Sequence, residues 1–259
     1  TDIKFGFYTI LLSECKCEAY AYGHQCCDFS DGTLVCLTPG ESISMKENNK
    51  EFPSKGWILA FHPDLICGTP LGFNIHNYTF FSYCPEEALH LSLREKQIIL
   101  EFLERIRQEL ERCIDRHSKK IISKYIELLL DYCTRFYERQ FITRSEVNKK
   151  VFREFNHLLD NHFNVKVSLS TDVLSDEYCA NLLHLSPAYF NDLLKYEIGK
   201  EFKEYIQFKR FEIAKGWLVN TDKTIGQIAQ ELGFSNSQYF SRLFKKITGC
   251  SPNEFRMPN

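Results

Sequence analysis

The residues best suited to a specific chemistry lie between positions 237 and 246, in the stretch SQYFSRLFKK. Phe240, Leu243, Phe244 and Ile247 recur at helical spacing and define an apolar side. The opposite side then presents Ser237, Gln238, Ser241, Arg242, Lys245 and Lys246. Gln and Arg can each make paired hydrogen bonds, to adenine and guanine edges respectively, whereas lysines suit phosphates as point charges. The chemistry implied is recognition of a duplex, with no covalent step. A charged helix face is ordinarily only solvated, so the case rests on the residues that flank it.

Upstream, Thr224 and Gln227 form a capping box, in which each side chain satisfies an amide donor at a helix start. Ile225, Ile228, Ala229 and Leu232 face one way, Gly233 can take the left-handed conformation that ends a helix, and Phe234 can plug the turn. The next helix starts at Ser235–Ser237 and stops at Gly249 and Pro252. Small Ala229 allows the close crossing of a helix-turn-helix. A second copy of this plan lies earlier: Ser175 caps a helix to His184, Leu185-Ser186 turn, Pro187-Ala188 start another helix that Gly199 ends, and Phe202–Leu218 connect the two units.

Catalytic patterns are missing. There is no G-x-S-x-G, no G-x4-G-K-[ST], and no H-x-H followed by Glu; His24, His62, His76 and His90 stand singly. No enzyme activity, cofactor or metal is expected. The eleven cysteines are irregularly spaced and read as reduced thiols. Cys15, Cys17, His24, Cys26 and Cys27 form the one cluster worth testing for metal, but C-x-C and an adjacent Cys-Cys pair miss the usual C-x2-4-C zinc spacing. Buried strand cysteines are the better account.

Net charge is −2, and it is uneven: residues 1–93 hold 5 Lys+Arg against 11 Asp+Glu, residues 94–164 hold 15 against 12, and residues 165–259 hold 12 against 11. Electrostatics alone would not mark the last third as a nucleic-acid binder. At 44% hydrophobic residues the chain can fill the cores of two domains, and no window approaches the ~18 apolar residues of a membrane span. The opening TDIKFGFYTILLSECK reads as a strand and not as a secretory signal, which points to the cytoplasm. Because it lacks Met, residues upstream of Thr1 are expected.

The elements that must position the polar face follow from periodicity. From Ile3 to about Tyr83 short runs rich in aromatic and β-branched residues alternate with Gly, Pro, Asn and Asp clusters, as in a small barrel or jelly roll. Gly32 opens one such run, and Pro39-Gly40 suit a type II turn after it. Beyond Ser92 the period becomes helical. Ile99, Phe102, Leu103, Ile106 and Leu110 form one stripe, and a second helix over about 119–139 carries Ile122, Tyr125, Ile126, Leu129, Cys133 and Phe136. Such a hairpin either packs on its own β-domain or pairs with a second chain. A third helix covers about 145–163, and NVKVSLSTD is a linker.

The set Gly233-Phe234, Tyr239-Phe240, Arg242, Phe244-Lys245-Lys246, Gly249, Ser251-Pro252 and Phe255-Arg256 resembles the signature of the AraC family of transcription regulators. WILAFHPDLI and YTFFSYCPEEALHLS are similar to segments in a branch of that family common in Bacteroides-like bacteria, with a cupin-like sensor ahead of the helices. The resemblance implies an α+β chain: a cupin-like barrel over 1–93, a helical dimerisation segment over 94–163, a linker over 164–174, and an all-α domain with two helix-turn-helix units over 175–259. It implies binding to double-stranded DNA through Ser237, Gln238, Tyr239, Ser241, Arg242, Lys245 and Lys246, and through Ser186, Ala188, Tyr189, Asn191 and Lys195 of the first unit. Expected partners are DNA, a second copy joined through residues 94–139, RNA polymerase and a small effector. The effector would sit inside the barrel near Tyr22, His24, Trp57, His62 and Tyr78, where aromatics beside single polar groups suit a partly apolar ligand. Two departures stand out. Asp192 replaces the Arg that many members carry on the first recognition helix, and Gly226 costs about 1 kcal/mol of helix propensity relative to Ala. The alternative reading is a chemical sensor with metal-bound cysteines ahead of the same DNA-binding module.

Overall fold

The computed structural model describes residues 2–4, 6–14, 23–44, 55–165 and 174–256. The chain divides into two compact units, the first comprising Thr1–Asn148 with Leu185–Asp192, the second Lys149–His184 with Leu193–Asn259.

The first unit begins with strands β1 (Asp2–Lys4), β2 (Tyr8–Ser13), β3 (Gly32–Leu37), β4 (Ser42–Ser44) and β5 (Gly56–Phe61). Together with β6 (Leu89–Leu91) they make a four-stranded antiparallel sheet of order β5-β2-β3-β6 and a two-stranded pair β1-β4. The register sets Ile10 opposite Cys36 and Leu12 between Leu34 and Trp57. All of β3 and all but the first residue of β2 are buried, whereas β5 alternates and ends buried. Gly56 is needed at the edge, because a Cβ there would stand 2.1 Å from the Leu12 carbonyl oxygen. The turn at Pro39-Gly40 forms, with Gly40 at φ 94° and Glu41 N–H donating to Thr38 O. It leads from one sheet to the other and does not close a hairpin. Among the described residues the pairing is that of a small open sheet, and no closed barrel is formed.

The strand texture expected up to Tyr83 ends earlier. Residues 63–87 hold helices α1 (Pro63–Ile66) and α2 (Pro70–Asn74) and three 3-10 turns. His62 and Thr69 supply the N-caps and each is followed by Pro, whose fixed φ suits a first helical turn. These cap-plus-proline pairs outweigh the β propensity of the aromatics around them.

Helix α3 (Leu93–Leu110) starts at the Ser92/Glu95 capping box, and α4 (Ser118–Thr143) follows. Ile99, Leu103 and Ile106 of α3, and Ile122, Ile126, Leu129, Cys133 and Phe136 of α4, are buried within this unit. Most of the stripe expected to face a second chain is therefore core. Helix α4 also closes the β6 edge: His90 N–H donates to Gln140 Oε1 (2.8 Å), and Gln140 Nε2 and Arg139 Nη2 donate to the Ala88 and His90 carbonyls. Satisfying edge groups in this way removes a template for strand addition.

Helix α5 (Ser145–Val165) leaves the first unit after Asn148. In the second unit Phe152 and Phe155 pack on Tyr205, and Tyr205 Oη donates to Asn156 Oδ1 (2.6 Å). The partner here is α8 (Phe202–Asn220), which follows α6 (Asp176–Leu182) and α7 (Pro187–Ile198) and precedes α9 (Ile225–Glu231), α10 (Ser237–Thr248) and α11 (Pro252–Arg256). Among the described residues no helix is long and apolar enough to cross a membrane.

Candidate nucleic-acid interface

The capping box that opens α9 is formed: Gln227 N–H donates to Thr224 Oγ1 (3.2 Å) and Thr224 N–H to Gln227 Oε1 (2.8 Å). Ile228, Ala229 and Leu232 are buried. Gly233 takes φ 76°, and the chain reverses so that Phe234 N–H donates to Ala229 O (2.9 Å). A side chain at 233 would strain this left-handed turn. The cap of α10 is Asn236, whose Oδ1 accepts from Tyr239 N–H (2.7 Å), and Gly249 ends the helix at φ 84°.

Ring packing fixes the orientation of α10. Phe240 and Phe244 are fully buried and meet Phe211 of α8 at centroid distances of 6.0 Å, while Phe234 meets both Phe211 (5.6 Å) and Phe240 (5.1 Å). Phe255 of α11 closes on Phe244 at 5.5 Å. Arg256 donates to the carbonyls of Leu218 and Lys223, tying the end of the domain to α8 and to the segment that enters α9. That role is structural: Arg256 holds two backbone carbonyls.

With the apolar side held, Gln238, Tyr239, Arg242, Lys245 and Lys246 lie exposed, and Ser237 and Ser241 half-exposed. The Arg242 guanidinium sits 5.7 Å from the Tyr239 ring centroid, a cation–π contact that steadies it at the surface. Ile247, expected inward, is 49% exposed. It lies near the end of α10, beyond the aromatic cluster.

The first expected reading face is different. On α7 Lys195 is exposed, Ala188 and Asn191 are half-buried, and Ser186 and Tyr189 are buried at 4% and 5% exposure. Ser186 caps α7, accepting from Tyr189 N–H (3.2 Å). In the same unit Glu87, itself 4% exposed, accepts from Ser186 N–H (2.6 Å) and Oγ (2.5 Å). Tyr83 Oη donates to Asp192 Oδ2 (2.7 Å). Burial first, and the Asp192 carboxylate second, push the Tyr83 phenol well above its usual range. Burial also raises Glu87, although the Ser186 hydrogen bonds pull the other way.

Of the residues expected around an effector, four lie among the described residues. His62 is the exposed cap of α1, Tyr78 donates to Asp131 (2.8 Å), Trp57 lies on β5, and His24 meets the ring of buried His90 at 5.0 Å. Tyr22 lies outside the described residues, as do Cys15 and Cys17. Among the described residues no group of three or more His, Cys, Asp or Glu is placed to hold a metal. A cavity of about 390 Å³ does open in the first unit, where Cys67–Leu71 face Arg116, Lys119, Lys120, Lys124 and Glu127.

Residues 179–257 match the family model of a helix-turn-helix domain, and the arrangement of α9, α10 and their supports is that of such a domain. The chain is 33% identical over 111 residues to the uncharacterized HTH-type transcriptional regulator YtdP of Bacillus subtilis, covering 43% of this chain and 14% of that one. To the uncharacterized HTH-type transcriptional regulator YijO of Escherichia coli it is 24% identical over 225 residues, 87% of this chain and 76% of the other. To the arabinose operon regulatory protein of Salmonella typhimurium it is 33% identical over 101 residues, 39% of this chain and 32% of that protein.

Proposed function

We propose that this chain is a cytoplasmic, sequence-specific DNA-binding transcription regulator in which α10 enters the major groove of double-stranded DNA. The observation that carries the reading is the two-sidedness of α10: Phe240 and Phe244 are locked into the domain core while Gln238 and Arg242 project unburied from its first half. Gln238 then reads adenine and Arg242 guanine, with Lys245, Lys246 and Lys195 on phosphates. In binding assays on a duplex enriched from a random-sequence pool, Gln238→Ala and Arg242→Ala should each lose about 1–3 kcal/mol while random DNA is bound almost as before. Equal losses on both DNAs would leave this face a positioning element only.

The wider reading adds a homodimer, a small effector in the N-terminal unit, and contact with RNA polymerase once on DNA. For the dimer, support comes from Ile121, Tyr125, Leu128 and Tyr132 on α4, which follow i, i+4, i+7, i+11 spacing and keep part of their surface in solvent. For the effector, the cavity lined by Arg116, Lys119, Lys120 and Lys124 suits an anionic small molecule better than the partly apolar ligand inferred from the aromatics. An anionic metabolite that raises the melting temperature of the wild-type chain but not of a Lys119→Ala, Lys120→Ala variant would establish that site. Stabilisation unchanged in the variant would place the effector elsewhere.

A further inference from the structure

Ser186, Tyr189 and Asp192 are spaced to face a duplex, yet all three are engaged inside the first unit. Glu87 binds Ser186 twice, through N–H (2.6 Å) and Oγ (2.5 Å), and Cys84 N–H holds the same carboxylate at 2.8 Å. Tyr189 is clasped between the rings of Tyr83 (5.1 Å) and Phe141 (5.3 Å) and is hydrogen-bonded to Arg144. Arg144 is fixed in turn by Asp28, with Nη2–Oδ2 at 2.6 Å and Nε–Oδ1 at 2.9 Å. A turn further along α7, Tyr83 holds Asp192.

We propose that Tyr83, Glu87, Phe141 and Arg144 form a receptor for the first turn of α7, and that docking there and DNA reading by α7 exclude one another. The inference rests on the DNA-binding reading given above. Its physical basis is occupancy. A recognition helix presents its N-terminal amides and cap to a phosphate, because the unpaired N–H groups and the helix dipole favour an anion there. In this chain that place is filled by the Glu87 carboxylate, which takes the Ser186 amide and hydroxyl together. A phosphate cannot share it with a buried carboxylate of like charge. The same contacts give Asp192 a use: its carboxylate takes the Tyr83 hydroxyl. The receptor thus selects one occupant, a helix start that begins with Ser and carries an aromatic three residues on and an acid six residues on.

The test uses the full chain and a duplex that this chain enriches from a random-sequence pool. Tyr83→Phe keeps the ring packing, removes the bond to Asp192 and alters no residue that reads DNA. Glu87→Gln keeps the shape and removes the charge that holds Ser186. Because a docked helix lowers apparent affinity by the fraction undocked, each variant should bind the duplex more tightly, roughly three- to tenfold for Tyr83→Phe and more for Glu87→Gln. A variant that merely damaged the fold would bind more weakly. Amide hydrogen exchange on the wild type supplies a measurement free of mutation: the amides of residues 186–192 should be protected by the docked state in the free chain, and the protection of Glu87 and its neighbours should fall when the duplex is bound. Equal affinity of wild type and both variants, or unchanged protection around Glu87 on the duplex, overturns the receptor and leaves DNA binding intact. If neither the wild type nor the variants enrich any duplex, the DNA-binding reading falls, and the gating role falls with it.

Discussion

Asp192 is held by a hydrogen bond that bears on what its substitution would do. From sequence it is a carboxylate on a helix that faces DNA, able to pair with nothing there but a cytosine amino group. In the structure it accepts from Tyr83 Oη at 2.7 Å. Asp192→Asn should raise affinity for random-sequence duplex, both by removing a charge from the phosphate field and by weakening the Tyr83 bond. The two causes separate in a double-mutant cycle, since the gain from Asp192→Asn should shrink in a Tyr83→Phe background only if it acts through that bond. Full additivity in binding titrations would assign the whole effect to charge. Gly226, by contrast, stays unexplained: a Cβ there would meet only Thr224 Oγ1 at 3.9 Å. The turn before α10 and its aromatic side were legible because both are local in sequence. The roles of Glu87 and Tyr83 were not, because their partners lie about a hundred residues away and no spacing rule reaches that far.

Among the elements, helices that carry their own start signals were read well. Thr224 with Gln227 is a capping box in sequence and in structure, and Ser92, after which the helical period begins, forms one with Glu95. What periodicity could not supply was the partner of each apolar face. The stripe of Leu103 and Ile126 fits a second chain as well as its own sheet, and the structure buries both residues in the first unit. Residues 63–87 were missed because helices of four or five residues have no period to detect. One contact joins distant elements of the first unit: Arg144, at the C-terminal cap of α4, is paired with Asp28, which precedes β3 and has a fully buried side chain. Burial raises the Asp28 pKa, but the hydrogen bonds and charge of Arg144 outweigh it and hold the carboxyl below its ordinary value. A depressed carboxylate contributes stability that is present above the unfolded pKa of about 3.9 and is lost as pH falls through the folded value. Asp28→Asn leaves the Arg144 charge buried without its partner and should cost about 3–5 kcal/mol in urea unfolding at neutral pH. The difference from wild type should narrow below about pH 4; a constant difference down to pH 3 would show that the carboxylate charge is not what matters.

For the whole molecule, the −2 net charge hides an acidic N-terminal third and a nearly neutral C-terminal one. The proposed DNA binding therefore rests on where a few cations stand. The same holds for assembly, because the buried stripe leaves a smaller surface for a second copy. Leu128, 45% exposed on α4, is the residue whose charge should disrupt a dimer without entering the core. Leu128→Glu should sediment as a folded monomer with reduced affinity for the enriched duplex. A wild-type chain that is already monomeric at micromolar concentration removes the dimer from the proposal.

The thiols buried in each unit turn the protein into its own two-channel clock. Cys36 and Cys133 are buried in the first unit and Cys179 in the second, all three unpaired with another cysteine. Burial raises the thiols of Cys36 and Cys133 far above their ordinary range and pushes Cys179 up to about 11. Since only the thiolate reacts, a modifying reagent reaches these sulfurs only when the surrounding structure opens and returns them to water. The labelling rate at Cys36 and Cys133 then measures how often the sheet and α4 come apart, and the rate at Cys179 measures the opening around α6. Each unit reports its own lifetime, from one sample of unmodified sequence.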